Sequence, residues 1–206
     1  MYNLFYCSTA LNCANPADIM FLLDGSDSID AQEWNQERNF LARMINALDI
    51  SPSTINVGFT VYSSDVASHY SLTPYRPKIV LNAFARSLQH PTGIATNTAK
   101  GIEKIRETFR MQPPARRNVP KIMIVITDGS SENPAETIRQ ARLAKEEGVR
   151  IMSVAVGNNV FVEELEQIAS AKRKFYRAAD FAALKGIEKD IQNMICRGKC
   201  SVDNRQ

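Results

Sequence analysis

Carboxylate and hydroxyl side chains occur at three separate points of the sequence, each beside an apolar segment or a predicted helix. Asp24, Ser26 and Ser28 follow the first apolar segment in the pattern Asp-x-Ser-x-Ser. Thr96 comes just before a predicted helix, and Asp128 follows the apolar segment KIMIVIT. An all-oxygen set without histidine or cysteine suits a hard, roughly octahedral cation. The residues therefore predict a divalent cation site for Mg²⁺ first, with Mn²⁺ or Ca²⁺ as alternatives.

A parallel sheet is the element that brings such residues together. The continuous apolar segments 18–23, 121–127 and 149–156 are typical of strands buried on both faces. Helices are predicted over 30–48, 78–88, 98–109, 134–147, 162–170 and from 180 to about 196. Asp30 and Glu33 are the expected capping pair of the first helix. Alternating strands and helices predict an α/β, doubly wound sheet with helices on both faces, whose ligands bind at the carboxyl ends of the strands.

One edge of this sheet is predicted to be antiparallel. The segment 54–62 alternates apolar and polar residues, and only three residues separate it from the short segment 66–72. A connection this short favours a hairpin, because a parallel return needs a long crossover. A further short edge strand is predicted at 174–177. The fold class is thus a Rossmann-like, mostly parallel sheet with one antiparallel edge strand.

Composition places the chain among ordinary globular domains. Of its 206 residues 44% are hydrophobic and 23% are charged, and no apolar run approaches the ~20 residues of a membrane span. The net charge of +3 is too small to indicate nucleic-acid binding. We expect one domain over residues 17–195 with flanks at 1–16 and 196–206, no membrane insertion, and no signal peptide at the start of the chain.

The four cysteines lie in or at these flanks, at Cys7, Cys13, Cys196 and Cys200. An even number of cysteines near the termini predicts disulfides, and therefore a secreted protein. We favour bridges between the two flanks, because the ends of a domain are commonly close in space. The alternative is two local bridges, Cys7–Cys13 and Cys196–Cys200.

Three motifs together resemble a known family. Asp24-Gly-Ser-Asp-Ser28, Thr96-Asn-Thr98 and Thr127-Asp-Gly129 resemble the metal-ion-dependent adhesion site of von Willebrand factor type A domains. The segments ADIMFLLDGSDSI, GIATNTAKGIEKI and KIMIVITDG look most like the type A domains of collagen VI and the matrilins. The resemblance covers about residues 17–195 and extends to the inserted domains of integrin α chains.

The resemblance implies a role for each residue. Ser26, Ser28 and Thr96 match the hydroxyls that contact the metal, with Thr98 as the alternative to Thr96. Asp24 and Asp128 match the two aspartates, which act directly or through water. Neutral hydroxyls leave the cation poorly neutralised, so a glutamate or aspartate of a partner takes its open position. The implied function is extracellular adhesion or matrix assembly, with collagen or another matrix protein as a partner.

A metal-independent alternative rests on the basic second half of the chain. Arg116, Arg117, Lys172, Arg173 and Lys174 are a candidate patch for glycosaminoglycans or acidic matrix proteins. The competing interpretation is that these charges are simply solvated.

An enzyme is not expected. The sequence has no glycine-rich nucleotide loop, no Gly-x-Ser-x-Gly elbow and no His-Glu-x-x-His motif. An aspartyl-phosphate phosphatase needs a second acidic residue where this chain has Ser26. His69 and His90 belong to no motif, and we expect both to be ordinary surface or loop residues.

Overall fold

The structure is a computed structural model that describes residues 16–73, 75–111 and 115–196. Its strands are β1 (Ala17–Asp24), β2 (Ile55–Tyr62), β3 (Val66–Tyr70), β4 (Lys121–Thr127), β5 (Val149–Val156) and β6 (Phe175–Ala178). They form one six-stranded sheet in the order β3-β2-β1-β4-β5-β6. Only the β2–β3 pair is antiparallel among these strands, which confirms the predicted sheet.

Helices cover both faces of the sheet. They are α1 (Ala31–Ala47), α2 (Lys78–Ser87), α3 (Thr98–Arg110), α4 (Pro134–Glu146), α5 (Val162–Ile168) and α6 (Leu184–Cys196), with a 3₁₀ turn at Lys172–Lys174. α6 starts later than predicted. The Asp180 carboxylate accepts from Ala183 N at 2.8 Å, so it caps a turn that precedes the helix.

Alternate residues of the central strand β1 enter two separate cores. Phe21 and Leu23 pack on the α1, α2 and α6 side, whereas Met20 and Leu22 pack on the α3, α4 and α5 side. Because both faces of β1 are buried, the strand is apolar at nearly every position. This pattern explains why continuous apolar segments identified the central strands.

Two local features hold helices near the carboxyl edge of the sheet. α1 begins with the predicted capping box, in which Asp30 accepts from Glu33 N and Glu33 accepts from Asp30 N. α3 lies close to β1 at Gly101, where an added Cβ would be 2.6 Å from Leu22 Cδ1. The loops after β1 and before α3 are thus joined to helices with defined starts and close packing on the sheet.

At the opposite edge of the sheet, Asp18 is fully buried and bound by Arg116. Asp18 Oδ2 accepts from Arg116 N at 2.7 Å, and Oδ1 accepts from Arg116 Nε at 2.9 Å. The guanidinium also donates to the carbonyls of Ala17 and Thr54, both at 2.8 Å. Arg116 therefore supports the start of β1, and its assignment to a surface anion patch is corrected.

The cysteine predictions fall largely outside the described residues. Cys7, Cys13 and Cys200 lie in the ranges that the structure does not describe, and Cys196 is the last residue of α6. The disulfide pairing stays a prediction. Within the described ranges, none of the helices combines the length and apolar character needed to cross a membrane.

Candidate metal centre

Four of the predicted side chains meet where β1 and β4 end. Asp24 Oδ1 accepts from Ser26 N at 3.0 Å and from Ser26 Oγ at 2.7 Å. The hydroxyl oxygens of Ser26 and Ser28 are 3.1 Å apart, and Ser28 Oγ donates to Asp128 Oδ1 at 2.9 Å. The sheet brings them together because β1 and β4 are parallel neighbours, with carboxyl ends at the same edge.

The second carboxylate oxygen of Asp24 accepts hydrogen bonds from side chains of the neighbouring strands. Asp24 Oδ2 accepts from Thr127 Oγ1 at 2.5 Å and from Tyr62 Oη at 3.2 Å. Tyr62 in turn accepts from Thr98 Oγ1 at 3.1 Å. Neutral donors from β2 and β4 thus orient this buried carboxylate, and Thr98 of α3 bonds to one of them, Tyr62. No basic side chain hydrogen-bonds to Asp24 among the described residues.

Burial acts on both aspartates, and the charge of Asp24 acts on Asp128 as well. Burial raises the pKa of Asp24, and the hydrogen bonds from Thr127, Ser26 and Tyr62 partly lower it. Burial raises the pKa of Asp128 to about 6, with a further contribution from the charge of Asp24. Two ionised carboxylates in this position lack a counter-charge, which a divalent cation is suited to supply.

Thr96 reaches the same edge of the sheet through its backbone. Its carbonyl oxygen accepts from Glu132 N at 2.9 Å, and Asn97 N donates to Ser63 O at 2.8 Å. The loop is therefore attached to the segments that follow β4 and β2. Thr98 is the first residue of α3, is buried, and uses its hydroxyl on Tyr62. The half-buried Thr96 remains the candidate ligand.

No three histidine, cysteine or acidic side chains in the described parts of the chain lie close enough to hold a metal on their own. A cation at this edge would therefore also need hydroxyl ligands, for which Ser26, Ser28 and Thr96 are the predicted candidates. Hydroxyl and carboxylate oxygens are ligands that hard cations accept, so the donor set fits the predicted ion.

Both histidines make contacts that the sequence analysis missed. His90 Nε2 lies 3.2 Å from the carbonyl oxygen of Ser26, and its ring stacks on Trp34 with 5.2 Å between ring centroids. His69 Nδ1 lies 2.8 Å from Thr60 Oγ1 in the neighbouring strand. His90 is a half-buried loop residue that contacts the site loop, whereas His69 lies in β3 and not in a loop. His90 supports the site loop, and its position depends on packing with α1, which no sequence pattern encodes.

Glu37 is the other residue that sequence reasoning missed. It belongs to α1 and is fully buried, with 0% of its surface exposed. Burial raises its pKa well above the ordinary value, and the charges of Asp24 and Asp128 raise it further. A signal was present, since Glu37 lies three residues from both Trp34 and Phe40 and therefore on the buried face of the helix.

The predicted basic patch is divided by the structure. Arg116 is bound to Asp18 beside β1, whereas Lys172–Lys174 precede β6 at the far edge of the sheet. Arg117 is exposed. Burial lowers the pKa of Lys174, as do the nearby charges of Arg150 and Arg173. The basic side chains that lie near one another are therefore those of Arg150 and of the 3₁₀ turn Lys172–Lys174.

Comparison with known proteins gives the family. The model of the von Willebrand factor type A domain matches residues 18–190. This chain belongs to the von Willebrand factor type A domain family.

The curated relatives are matrix proteins. Matrilin-1 of Mus musculus is 33% identical over 183 residues, which cover 87% of this chain and 36% of matrilin-1. The collagen alpha-4(VI) chain of Mus musculus is 29% identical over 199 residues, or 96% of this chain and 8% of that protein. The chain therefore spans only a part of each relative.

Solved structures show the same fold. Proximal thread matrix protein 1 from the mussel byssus, solved with a zinc-occupied MIDAS motif, superposes with a TM-score of 0.80 at 24% identity. The superposition covers 90% of this chain and 47% of the mussel protein.

Proposed function

We propose that this domain is an adhesion or matrix-assembly module that binds a carboxylate of a partner protein through a divalent cation. The observation that carries the proposal is the meeting of Asp24 and Asp128 with serine hydroxyls at one edge of the sheet, where no basic side chain of the described residues bonds to either aspartate. Mg²⁺ is the first choice for this oxygen set and Mn²⁺ the second.

Each residue has a distinct part in the proposal. Ser26, Ser28 and Thr96 offer neutral oxygens, and Asp24 and Asp128 offer the negative charge that retains the ion. Tyr62 and Thr127 keep Asp24 oriented through their hydrogen bonds. A bound cation supplies an open coordination position for an aspartate or glutamate oxygen of the partner. The role is binding, and we expect no catalysis.

The surroundings of the site support a protein partner. Ile94 lies in the loop between Gly93 and Thr96, and 88% of its surface is exposed. Gly93 is paired with Ser26, so this apolar side chain stands at the rim of the site. A protein surface that presents a carboxylate beside apolar groups would cover both features. Since matrilin-1 and collagen VI are relatives, we propose an extracellular location and a matrix partner such as collagen.

The proposal is tested by measuring cation uptake and then binding to immobilised collagen. Isothermal titration with Mg²⁺ and Mn²⁺ should show one site per domain. Thr96→Ala should weaken cation uptake and collagen binding while the domain stays folded. Ser130→Ala is the matched control, because Ser130 is an exposed hydroxyl in the same loop as Asp128. Collagen binding that persists in EDTA would reject the cation-dependent mechanism.

A second candidate function is metal-independent binding of glycosaminoglycans. It is favoured by the cluster of Arg150, Lys172, Arg173 and Lys174, none of which forms an ion pair with another described residue. Retention on heparin that falls steeply with salt and is indifferent to EDTA would support it. Charge reversal of Lys172 and Arg173 should then abolish retention, whereas Thr96→Ala should not change it.

A further inference from the structure

The loop between β4 and α4, which carries Asp128, is bound to α5 by one buried side chain. That side chain is Glu164, which lies in the first turn of α5 with 1% of its surface exposed. Glu164 Oε2 accepts from Ser131 N at 3.2 Å, and Oε1 accepts from Ser131 Oγ. Ser131 comes three residues after Asp128 and is itself buried. Both donors of Ser131 therefore bind a single carboxyl group.

A third hydrogen bond connects Ser131 to α4. Thr137 Oγ1 donates to Ser131 Oγ at 2.9 Å, and Thr137 is fully buried. Ser131 thus joins α4 and α5, and its hydroxyl acts both as donor and as acceptor. Because these groups are buried, loss of a partner leaves a donor unsatisfied, which costs free energy unless the loop moves.

The residue after Ser131 connects this loop to the other candidate ligand. Glu132 N donates to the carbonyl oxygen of Thr96 at 2.9 Å. Ser131 therefore lies between Asp128, three residues before it, and the attachment point of the Thr96 loop, one residue after it. The spacing between Asp128 and Thr96 thus depends on the contact of Ser131 with Glu164.

An apolar side chain would fill the position of Glu164 at a lower cost in free energy. Burying a carboxyl group is unfavourable, and no basic side chain of the described residues forms an ion pair with Glu164. The other buried residues of α5, Leu165 and Ile168, are apolar. What Glu164 provides, and leucine would not, is a pair of acceptors for a loop segment that belongs to no helix or strand.

We propose that Glu164 is a positioning residue of the cation site, which holds Ser131 so that Asp128 and Thr96 keep the spacing that a small cation requires. This inference rests on the proposed function, since it needs an ion bound by those two residues. Mg²⁺ demands a near-ideal octahedral arrangement of its ligands, whereas Ca²⁺ accepts irregular arrangements at longer distances. Loss of the contact should therefore affect the two ions unequally.

The test compares Glu164→Gln with the wild-type domain by calorimetric titration with Mg²⁺ and with Ca²⁺. Glutamine has the same length but only one acceptor oxygen, so one donor of Ser131 loses its partner. Substitution of groups that orient ligands weakens metal affinity by roughly 10- to 100-fold, and we expect a loss of about tenfold for Mg²⁺ and a smaller loss for Ca²⁺. Ser131→Ala removes the hydroxyl contact from the side of the loop and should shift the ratio of the two affinities in the same direction.

Ser153→Ala is the matched control. Ser153 is fully buried and its hydroxyl donates to Leu165 O at 2.8 Å, so this substitution also removes a buried contact of α5 but does not touch the Asp128 loop. It should lower the unfolding temperature and leave both ion affinities unchanged. A general loss of stability would lower the affinities for both ions by the same factor, because only the folded fraction binds.

An unchanged ratio of Mg²⁺ to Ca²⁺ affinity in Glu164→Gln and Ser131→Ala, or an equal shift of that ratio in Ser153→Ala, overturns the inference. If Glu164→Gln does not fold, Ser131→Ala decides by the same ratio, since it leaves the bond from Ser131 N to Glu164 in place. Uptake of neither ion by the wild type would refute the cation site itself, and the inference with it.

Discussion

The two ends of β1 each bury an aspartate, but they treat it in opposite ways. Asp18 and Asp24 are both fully buried and lie six residues apart on the same strand. Asp18 is neutralised by Arg116 through a backbone and a side-chain hydrogen bond. Asp24 is surrounded by hydroxyl donors from Ser26, Tyr62 and Thr127, none of which carries a charge.

Asp18 thus belongs to a structural ion pair, whereas Asp24 belongs to a candidate binding site. At the Asp18 end the compensating charge is part of the chain, so the pair is complete when the protein folds. At the Asp24 end the chain supplies orientation, and we propose that an external ion supplies the charge. The stability of the domain and its capacity for cations should therefore respond to different substitutions, which the following predictions test.

The largest effect is expected from Arg116→Ala. Removing one partner leaves Asp18 buried and uncompensated, which should lower the free energy of unfolding by about 3 kcal/mol. Urea denaturation of the cation-free protein measures this change. Arg117→Ala is the control, because this neighbouring arginine is exposed and should shift the unfolding midpoint very little. Equal effects of the two substitutions would mean that the Asp18 pair contributes nothing.

Asp24→Asn should have the opposite effect to Arg116→Ala: it should abolish cation binding without lowering the stability of the cation-free protein. The amide removes a buried charge, so the cation-free variant should be as stable as the wild type or more stable. Wild-type protein at a hundredfold excess of Mn²⁺ over Kd should gain about 2.7 kcal/mol, and the variant should gain nothing. Thermal unfolding with and without Mn²⁺ measures both quantities. A variant that is still stabilised by Mn²⁺ would contradict the site.

The pH dependence follows from Asp128, whose pKa burial raises to about 6. Because only the ionised carboxylate favours the cation, Mn²⁺ affinity should fall about tenfold per pH unit below 6 and level off above it. The free energy of unfolding of the cation-free protein should instead fall as the pH rises. A carboxyl with a raised pKa binds its proton more tightly when folded, so its contribution is present below pH 4 and is lost as the pH rises to about 6.

Titrations of Mn²⁺ from about pH 4.5 to 8 measure the first effect, and urea denaturation from about pH 3.5 to 8 measures the second. In Asp128→Asn the component of the stability profile that falls between pH 4 and 6 should disappear. A wild-type affinity that does not change with pH would show that Asp128 is not part of the site.

The smallest effect distinguishes the two threonines of the Thr96-Asn-Thr98 motif. Thr98→Ala removes the hydrogen bond to Tyr62 and should cost about 1 kcal/mol of stability, with a modest change in Mn²⁺ affinity. Thr96→Ala should leave stability unchanged and weaken Mn²⁺ binding more strongly. Parallel urea and calorimetric measurements decide the assignment, and the opposite pattern would make Thr98 the ligand.

Much of the fold could be predicted because the central strands are buried on both faces. Their continuous apolar segments and the polar residues that end them locate the sheet and its carboxyl edge. The positions of Asp24, Ser26, Ser28 and Asp128 followed from that edge. The start of α6 was predicted too early, because an aspartate caps a single turn as readily as a helix, and sequence does not separate the two.

The residues that escaped prediction depend on contacts between distant parts of the chain. Arg116 lies in a proline-containing loop, and its partner Asp18 is 98 residues away in sequence. Glu37 was overlooked because a charged residue on an amphipathic helix is normally solvent-exposed. Its spacing from Trp34 and Phe40 nevertheless places it on the buried face of α1. Charge compensation is thus a tertiary property that local patterns do not report.

The stacking of Trp34 on His90 gives the protein an internal optical signal. Trp34 is the single tryptophan of the chain, and the stacked imidazole lies against the carbonyl of Ser26. Indole emission excited selectively over tyrosine therefore originates beside the loop after β1. A rearrangement of that loop changes the environment of one fluorophore, so intensity and quenching can follow it in solution without a label.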